Sequence, residues 1–550
     1  MQAQNFLRAI NKEDLFRDLP PEWPGDMLPA IREEVLASGR KVVVLDDDPT
    51  GTQTVHNTPV LTEWSVEALQ AELQTDFPAF YILTNSRSLA LPEARALNKD
   101  IGRNLVEAGK RANRDFVVVS RSDSTLRGHF PGEVEALAAG LGQNFDGWIV
   151  IPFFLEGGRY TVGDTHYVEE GGWLVPAAET EFAKDSVFGY RSSNLRDWVE
   201  EKTGGSVSSG EVITISIEDL RMGGPAAIKE RLLTLQGSRI GVVNAAGYRD
   251  VEVFVKGLLD AEAQGRRFLY RSAASFVRVR AGMPARPLLS SADLGTPSRG
   301  GGLTLVGSYV PKTTRQLQKL LALPQMTGIE MKVDAILDRD TRDDEIARVC
   351  RDAEPQLQSG RDVTIYTSRK LVTAGGAAGD LSIGNRVSEA LITTLRRMTV
   401  TLRYLIAKGG ITASDVATKG LNVRRALVLG QILPGVPVWQ LGPESRHAGI
   451  PYVVFPGNVG GDDALAETVS VIVDAVRVAL ERTPPELSAD IVDRGIVLSG
   501  GGALLRNLDM RLREETGLPI TLADDPLTAV VMGAGKVLDE LAVLKDVTLQ

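Results

Sequence analysis

Short apolar runs alternate with longer amphipathic stretches between residues 40 and 290: the runs fall at 42–45, 80–83, 116–119, 148–151, 239–243 and 267–270. Continuous apolar runs of this length suit strands buried on both faces, and their alternation with helix-length segments is the pattern of parallel βαβ units. Residues 92–109 and 225–235 read as helices that place a proline in the first turn, where its missing N–H costs nothing. The stretch 153–188 carries no clear period and reads as a long irregular loop, of a length that compact domains keep for function or insertion. Its start, Gly157-Gly158-Arg159-Tyr160-Thr161, is suited to closing over a substrate.

Around residues 290–302 the composition turns to Ser, Gly and Pro and ends in Gly300-Gly301-Gly302, which reads as a flexible hinge. A second α/β pattern follows. Residues 303–309 run from a strand into a Gly-Ser turn, 362–367 form another strand, and 404–412 and 452–460 each run from strand to glycines. The fold class predicted is α/β, with two α/β domains of mainly parallel sheet joined by the Gly-rich hinge and a short C-terminal α/β appendage. The boundaries are 1–290, 303–470 and 471–550, without a strong internal repeat.

Composition narrows the function. With 61 basic against 71 acidic side chains the formal charge is −10, which argues against a nucleic-acid backbone as the main partner. A single cysteine, Cys350, excludes an intramolecular disulfide and a cysteine-cluster metal site and fits a reducing compartment. The first residues lack the basic start and apolar core of a signal peptide, and no apolar run approaches about 18 residues. A cytoplasmic protein without a membrane partner is therefore expected. The histidines, His56, His129, His166 and His447, show no zinc-site spacing and default to surface or packing roles.

Candidate chemistry lies where strands end. Asp46-Asp47-Asp48-Pro49-Thr50-Gly51 follows directly on Val42-Val43-Val44-Leu45, so carboxylates sit at the carboxyl edge of a sheet, where open α/β folds bind ligands. One acidic strand end is equally well a solvated Asx turn. Two more strand ends favour chemistry. Val117-Val118-Val119 runs into Ser120-Arg121-Ser122-Asp123-Ser124-Thr125-Leu126-Arg127-Gly128-His129, and Tyr81-Ile82-Leu83 into Thr84-Asn85-Ser86-Arg87-Ser88. Arginine forks and hydroxyls together suit a small anion. In the second half, glycines at several strand ends suit backbone approach to phosphates. Each alone is more simply a turn, and neither a P-loop nor a convincing Gly-x-Gly-x-x-Gly occurs, so a nucleotide site of another kind is indicated.

These segments resemble the four-carbon acid sugar kinase family. Asp47-Asp48-Pro49-Thr50-Gly51 is similar to that family's Asp-Asp-x-Thr-Gly turn, and Asp123-Ser124-Thr125-Leu126-Arg127-Gly128 to its Asp-Ser-Thr-Leu-Arg-Gly loop. Arg121 and His129 stand where the better-known members have lysine and asparagine. Val306-Gly307-Ser308, Lys408-Gly409-Gly410-Ile411-Thr412 and Pro456-Gly457-Asn458-Val459-Gly460 look like the family's ATP-binding segments, with Ala413 in place of a usual serine.

The resemblance implies ATP- and Mg2+-dependent phosphorylation of the terminal hydroxyl of a four-carbon acid sugar: threonate, erythronate or 3-oxo-tetronate. Phosphoryl transfer needs a placed hydroxyl, a proton acceptor and cations over the phosphates. Asp47 or Asp48 is assigned to the hydroxyl. Arg87, Arg121 and Arg127 are assigned to the substrate carboxylate or the transferred phosphate, and Thr50, Gly51, Asp123, Ser124 and Thr125 to the rest of the substrate. Carried over by position, Ser308, Gly409, Gly410, Ile411, Thr412 and Gly457 contact ATP. The partners expected are the acid sugar and ATP, and a homo-oligomer is compatible with the sequence. A non-phosphorylating lyase or dehydrogenase acting on hydroxy acids is the alternative enzyme; it predicts no ATP dependence.

After about residue 470 the text changes. Residues 473–487, then 491–505 with Leu498-Ser499-Gly500-Gly501-Gly502-Ala503, and Asp524-Asp525-Pro526-Leu527-Thr528-Ala529 resemble the C-terminal end of the bacterial actin homologue MreB. In the actin family such a glycine turn lies against the adenosine, but an actin-type site also needs two phosphate-binding hairpins and acids from earlier in that fold. The tail is therefore read as a fused α/β remnant that packs on itself or on a neighbour. A filament-associated or scaffold role through this tail is the third reading.

Overall fold

The computed structural model describes residues 9–295, 300–308, 310–369, 377–457, 459–473, 496–499, 520–523, 525–526 and 528–529. The N-terminal half contributes β1 (Ile10–Asn11), β2 (Lys41–Asp46), β3 (Thr58–Leu61), β4 (Ala79–Leu83), β5 (Phe116–Arg121) and β6 (Gly147–Ile151). A meander of β7 (Arg159–Val162), β8 (Thr165–Glu170) and β9 (Trp173–Pro176) follows, and then β10 (Ile213–Ile215), β11 (Arg239–Val243) and β12 (Phe268–Ser272). The C-terminal half adds β13 (Leu303–Val306), β14 (Met326–Met331), β15 (Asp362–Thr367) and β16 (Leu405–Lys408). It continues with β17 (Arg425–Leu433), β18 (Val436–Leu441) and β19 (Pro451–Phe455), and the tail holds the parallel pair β20 (Ile496–Leu498) and β21 (Ile520–Leu522).

One sheet of 15 strands runs through both halves in the order β10-β11-β6-β12-β5-β2-β4-β3-β17-β18-β19-β16-β13-β15-β14. Every neighbouring pair from β10 to β3 is parallel, and so is every pair from β19 to β14. The two parallel blocks meet through the antiparallel pairs β3·β17, β17·β18 and β18·β19. The chain is thus α/β with a mainly parallel sheet, as its alternating runs predict. Strand β2 shows why. Val42 and Val44 enter one core with Tyr81 and Val119, while Val43 and Leu45 enter another with Phe80, Ile82 and Val118. Each such side chain, fully buried, contributes about 1.5–3 kcal/mol, so both faces of the strand must be covered. The helix Leu91–Ala112 covers one face, packed so closely on the helix Gly132–Leu141 that a Cβ on Gly140 would lie 2.3 Å from the Lys99 carbonyl. The helix Tyr248–Glu262 covers the other face with Val251, Phe254 and Leu258.

The stretch 153–188 differs from the irregular loop expected. Strands β7, β8 and β9 form an antiparallel sheet with β1. Gly163 and Asp164 turn one hairpin at φ +57° and +60°, and Gly171 and Gly172 the next at +59° and +86°. Left-handed residues at both turn positions match the twist of paired strands, so these two-residue signals in the sequence were hairpins. The glycines before β13 also pack: Cβ atoms on Gly300, Gly301 and Gly302 would lie 2.1, 1.9 and 1.9 Å from Thr401, Arg361 and Tyr404. They allow close approach of the backbone under the second sheet block as well as linkage. Gly500, Gly501, Gly502, Ala503 and most of the predicted tail lie outside the described residues. Among those described, no helix is long and apolar enough to cross a membrane.

The joint between the blocks is fastened beside the 3-10 turn Pro49–Thr52. Trp439, fully buried, donates its indole N–H to Thr52 Oγ1 at 3.0 Å, and Gln53 Nε2 donates to the Gly435 carbonyl at 3.0 Å. Arg425 Nε meets Glu72 Oε2 at 2.8 Å across the same joint. Replacing Trp439 with alanine should cost about 3–5 kcal/mol through the cavity left behind. The check is the urea midpoint of the intact chain; an unaltered midpoint would show that the joint is not part of the cooperative core.

Candidate functional site

Because β2, β4 and β5 are parallel neighbours, the residues that follow them meet at one edge. Asp46 ends β2, is buried, and receives Arg121 Nη1 from the end of β5 at 3.1 Å. Burial holds the Asp46 carboxyl above the usual carboxylate range while Arg121 pulls it down. Asp47 is clamped by Arg87, which donates Nη2 to Oδ1 at 2.7 Å and Nε to Oδ2 at 3.3 Å, and by the Ser122 hydroxyl at 2.8 Å. Arg87 also lies 3.7 Å from Asp48 Oδ2 and 3.6 Å from Asp123 Oδ1. Asp48 caps the 3-10 turn, its Oδ1 accepting the Thr50 N–H at 2.9 Å and the Thr50 hydroxyl at 2.6 Å. Burial opposes ionisation of Asp48, but Arg87 and the Thr50 bonds outweigh it and leave the carboxyl below its usual range. Gly51 is required here, since a Cβ would lie 2.1 Å from the Asp46 carboxylate.

The loop after β5 wraps round its own acid. Asp123 Oδ2 accepts the Thr125 hydroxyl and Arg127 Nε, the latter at 2.8 Å. Burial works against the charge, yet Arg127 and then Arg87 hold the carboxyl well below its ordinary range. Three residues not singled out in the sequence support this loop. Buried His166 places Nε2 2.7 Å from the Ser124 carbonyl and Nδ1 2.9 Å from Thr161 Oγ1. Burial lowers its pKa to about 3, so the ring is neutral and donates through Nε2. Tyr190 donates its hydroxyl to the Thr125 carbonyl at 2.8 Å, and Arg271 Nη2 donates to the carbonyls of Asp123 and Arg127, both at 3.0 Å. Arg271 had a signal: it is an arginine inside the otherwise apolar run Phe268-Leu269-Tyr270 that becomes β12.

The second half repeats the arrangement with glycines. Strands β13, β16 and β19 are parallel neighbours, and Gly307-Ser308, Gly409-Gly410 and Gly457 follow them. Gly409 has φ +113° and lies against Ser308, and a Cβ on Gly307 would reach the Thr412 hydroxyl at 2.5 Å. Gly410 opens the helix Gly410–Asp415. A Cβ there would lie 2.6 Å from Asp48 Oδ2, so the acid of the first half touches the glycine backbone of the second. Ile411 turns its side chain outward, and the space beside Gly457 is open. The residues named from the sequence therefore form two groups that meet at Asp48 and Gly410. Among the described residues, no cluster of three or more His, Cys, Asp or Glu is arranged to hold a metal ion.

Residues 42–280 match the model of a sugar-binding N-terminal domain, and 303–465 that of a nucleotide-binding C-terminal domain. The chain belongs to the four-carbon acid sugar kinase family. Two solved structures share the family fold over 78% of this chain. One, from Salmonella typhimurium LT2, matches over 98% of its own length at 20% identity and TM-score 0.58. The other, from Haemophilus influenzae, matches over its full 100% at 19% identity and TM-score 0.54. Residues 455–546 match the MreB/Mbl protein model. The cell shape-determining protein MreB of Escherichia coli K12 is 36% identical over 200 residues, covering 33% of this chain and 54% of that protein. Mbl of Bacillus subtilis 168 is 43% identical over 202 residues, covering 34% and 56%. The chain thus spans little more than half the length of these relatives.

Beside the family's glycines, Lys408 is buried and donates Nζ to the carbonyls of Pro456 at 2.6 Å and Gly457 at 3.2 Å, over the Phe455 ring. Burial, helped by Lys312, lowers its pKa to about 6. Above that value the folded chain has released a proton that the unfolded chain keeps until the ordinary lysine range. Stability therefore rises with pH across this window and is lost as pH falls through about 6. Lys408→Met should flatten the rise by up to about 1.4 kcal/mol per pH unit. Urea midpoints between about pH 6.5 and 9 test this, and an unchanged slope would mean that Lys408 stays charged.

Proposed function

We propose that the protein is an ATP-dependent kinase acting on the terminal hydroxyl of a four-carbon acid sugar: threonate, erythronate or 3-oxo-tetronate. The observation that supports this best is the contact of Asp48 with Gly410, which joins the acid cluster of one half to the glycine cradle of the other. Bound with magnesium, ATP supplies the γ-phosphoryl group, and its phosphates suit the space at Ser308, Gly409 and Gly410 that side chains would fill. Thr412 and the backbone at Ile411 and Gly457 complete that side.

Asp48 is the proton acceptor in this reading. Its Oδ1 is occupied by Thr50, its Oδ2 faces the cradle, and Arg87 keeps it ionised. Asp47 fixes Arg87 in place, and Arg121 neutralises Asp46 beneath. Ser124 and Thr125 bond the sugar hydroxyls, Thr50 and Gly51 shape the turn that presents Asp48, and Asp123 orients Arg127 toward the acid end of the substrate. The two halves already share one sheet, so exclusion of water falls to the loops above it.

Purified protein given ATP, magnesium and a panel of four-carbon acids should release ADP with one acid and add the mass of one phosphoryl group to it. Asp48→Asn should lower kcat by about 100-fold or more, the usual contribution of a placed base. Gly410→Ala, which pushes a methyl into Asp48, should impair turnover comparably. Absence of phosphorylated product with every acid would overturn the reading.

A further inference from the structure

The arginines at the strand ends are not equivalent. Arg87 faces three carboxylates, Arg121 is bonded to Asp46, and Arg127 to Asp123. Their charge is taken up by the protein. Two other arginines border the same loop without a carboxylate at ion-pair distance among the described residues. Arg271 is 2% exposed; it spends Nη2 on two carbonyls and leaves Nε and Nη1 without a partner. Arg159, half-buried at the start of β7, donates Nη1 to the Gly157 carbonyl and leaves Nε without a partner. The acid that acts most strongly on Arg159 is Asp123, which already serves Thr125 and Arg127. Arg159 and Arg127 sit over one ring, their guanidinium carbons 5.7 and 5.1 Å from the Phe182 centroid.

Buried cations that the protein leaves uncompensated are costly unless an anion arrives to pair with them. Burial lowers the pKa of both, that of Arg271 to about 10, as expected where no carboxylate repays desolvation. All of this lies on the N-terminal half, beside the loop that carries Ser124 and Thr125.

We propose that Arg159, with Arg127 beside it and Arg271 under the loop, forms the subsite for the carboxylate of the acceptor. Planar forks side by side suit a carboxylate, which accepts two parallel N–H bonds. The proposal rests on the kinase reading above, and it moves recognition of the acid end from Arg87 and Arg121 to residues of the meander and β12. It also explains why the family member needs the β7–β9 insertion: the meander delivers a cation that the strand ends cannot spare.

The test compares the wild type with Arg159→Gln and Arg159→Lys, using calorimetry and kinetics with threonate and erythronate and with the neutral tetritols threitol and erythritol. Arg159→Gln should weaken acid binding and raise the acid KM by about 10-fold or more, with kcat within a few-fold and the ATP KM unchanged. Its preference for acids over tetritols should collapse, and Arg159→Lys should restore part of it. Acid binding by Arg159→Gln equal to wild type, or a rise in the ATP KM instead, would overturn the subsite while leaving the kinase reading intact. A wild type that neither binds nor turns over any acid would overturn both.

Discussion

Arg87 is the group on which the site depends. Asp46, Asp47, Asp48 and Asp123 converge because three parallel strands end side by side, and carboxylates gathered in a buried edge repel one another in a medium that screens poorly. Arg87 answers this by placing one planar fork between three of them, bidentate to Asp47 and within 3.7 Å of the other two. Arg121 does the same for Asp46. Taking either cation away would leave buried acids to protonate or to push the strand ends apart, because breaking a buried pair costs several times more than forming it contributes. One consequence reaches function. Cations this committed are poor ligands for an incoming anion, so an anionic substrate must be met by arginines from elsewhere in the fold.

The second constraint is the continuity of the sheet. In a two-domain enzyme joined only by a linker, the distance between acceptor and donor sites would depend on how far the domains close. Here β3 pairs with β17 residue for residue from Leu61 opposite Arg425 to Thr58 opposite Val428. The turn carrying Asp48 leads into β3 and is bolted to β18 through Trp439 and Thr52. The separation of Asp48 and Gly410 is therefore set by strand pairing and a buried indole. This is a stiff way to hold two loops in register, since sliding it would unpair the whole joint.

How much of this the sequence disclosed follows from the range of the interactions. Strand ends of parallel βαβ units announce themselves, because each apolar run stops at the polar or glycine residues that do the work; hence Asp47, Asp48, Arg87, Asp123, Gly409 and Gly410 were found in place. The supports were not. His166 reaches Ser124 over 42 residues and Arg271 reaches Asp123 over 148, and no local pattern marks a side chain whose task is to hold a distant carbonyl. The β7–β9 meander was legible in principle, in Gly163-Asp164 and Gly171-Gly172, but its strands are too short and mixed to outweigh the impression of a loop. The antiparallel joint was hidden for another reason. Its edge strands pair across more than 360 residues, so nothing near β3 or β17 foretells the partner.

The tail raises a different question of economy. The nucleotide-binding match ends at residue 465 and the MreB/Mbl match begins at 455, so the two overlap across the end of β19 and the start of the helix Ala464–Val473. That helix is not a free linker. Leu465, Val469 and Ile472 line one face at helical spacing and join the core that holds Leu317 and Leu320 of the helix Pro311–Leu321. Gln316 fastens the approach to it through the carbonyls of Val459 and Gly461. A segment read as MreB-like from its sequence thus completes the hydrophobic cover of the nucleotide-binding half. Any fusion at this point had to preserve an i, i+4, i+7 apolar stripe, because without it β13, β16 and β19 would lose the layer that buries one of their faces. The join is tolerated because both partners ask the same thing of those residues: a short amphipathic helix whose apolar side faces a sheet.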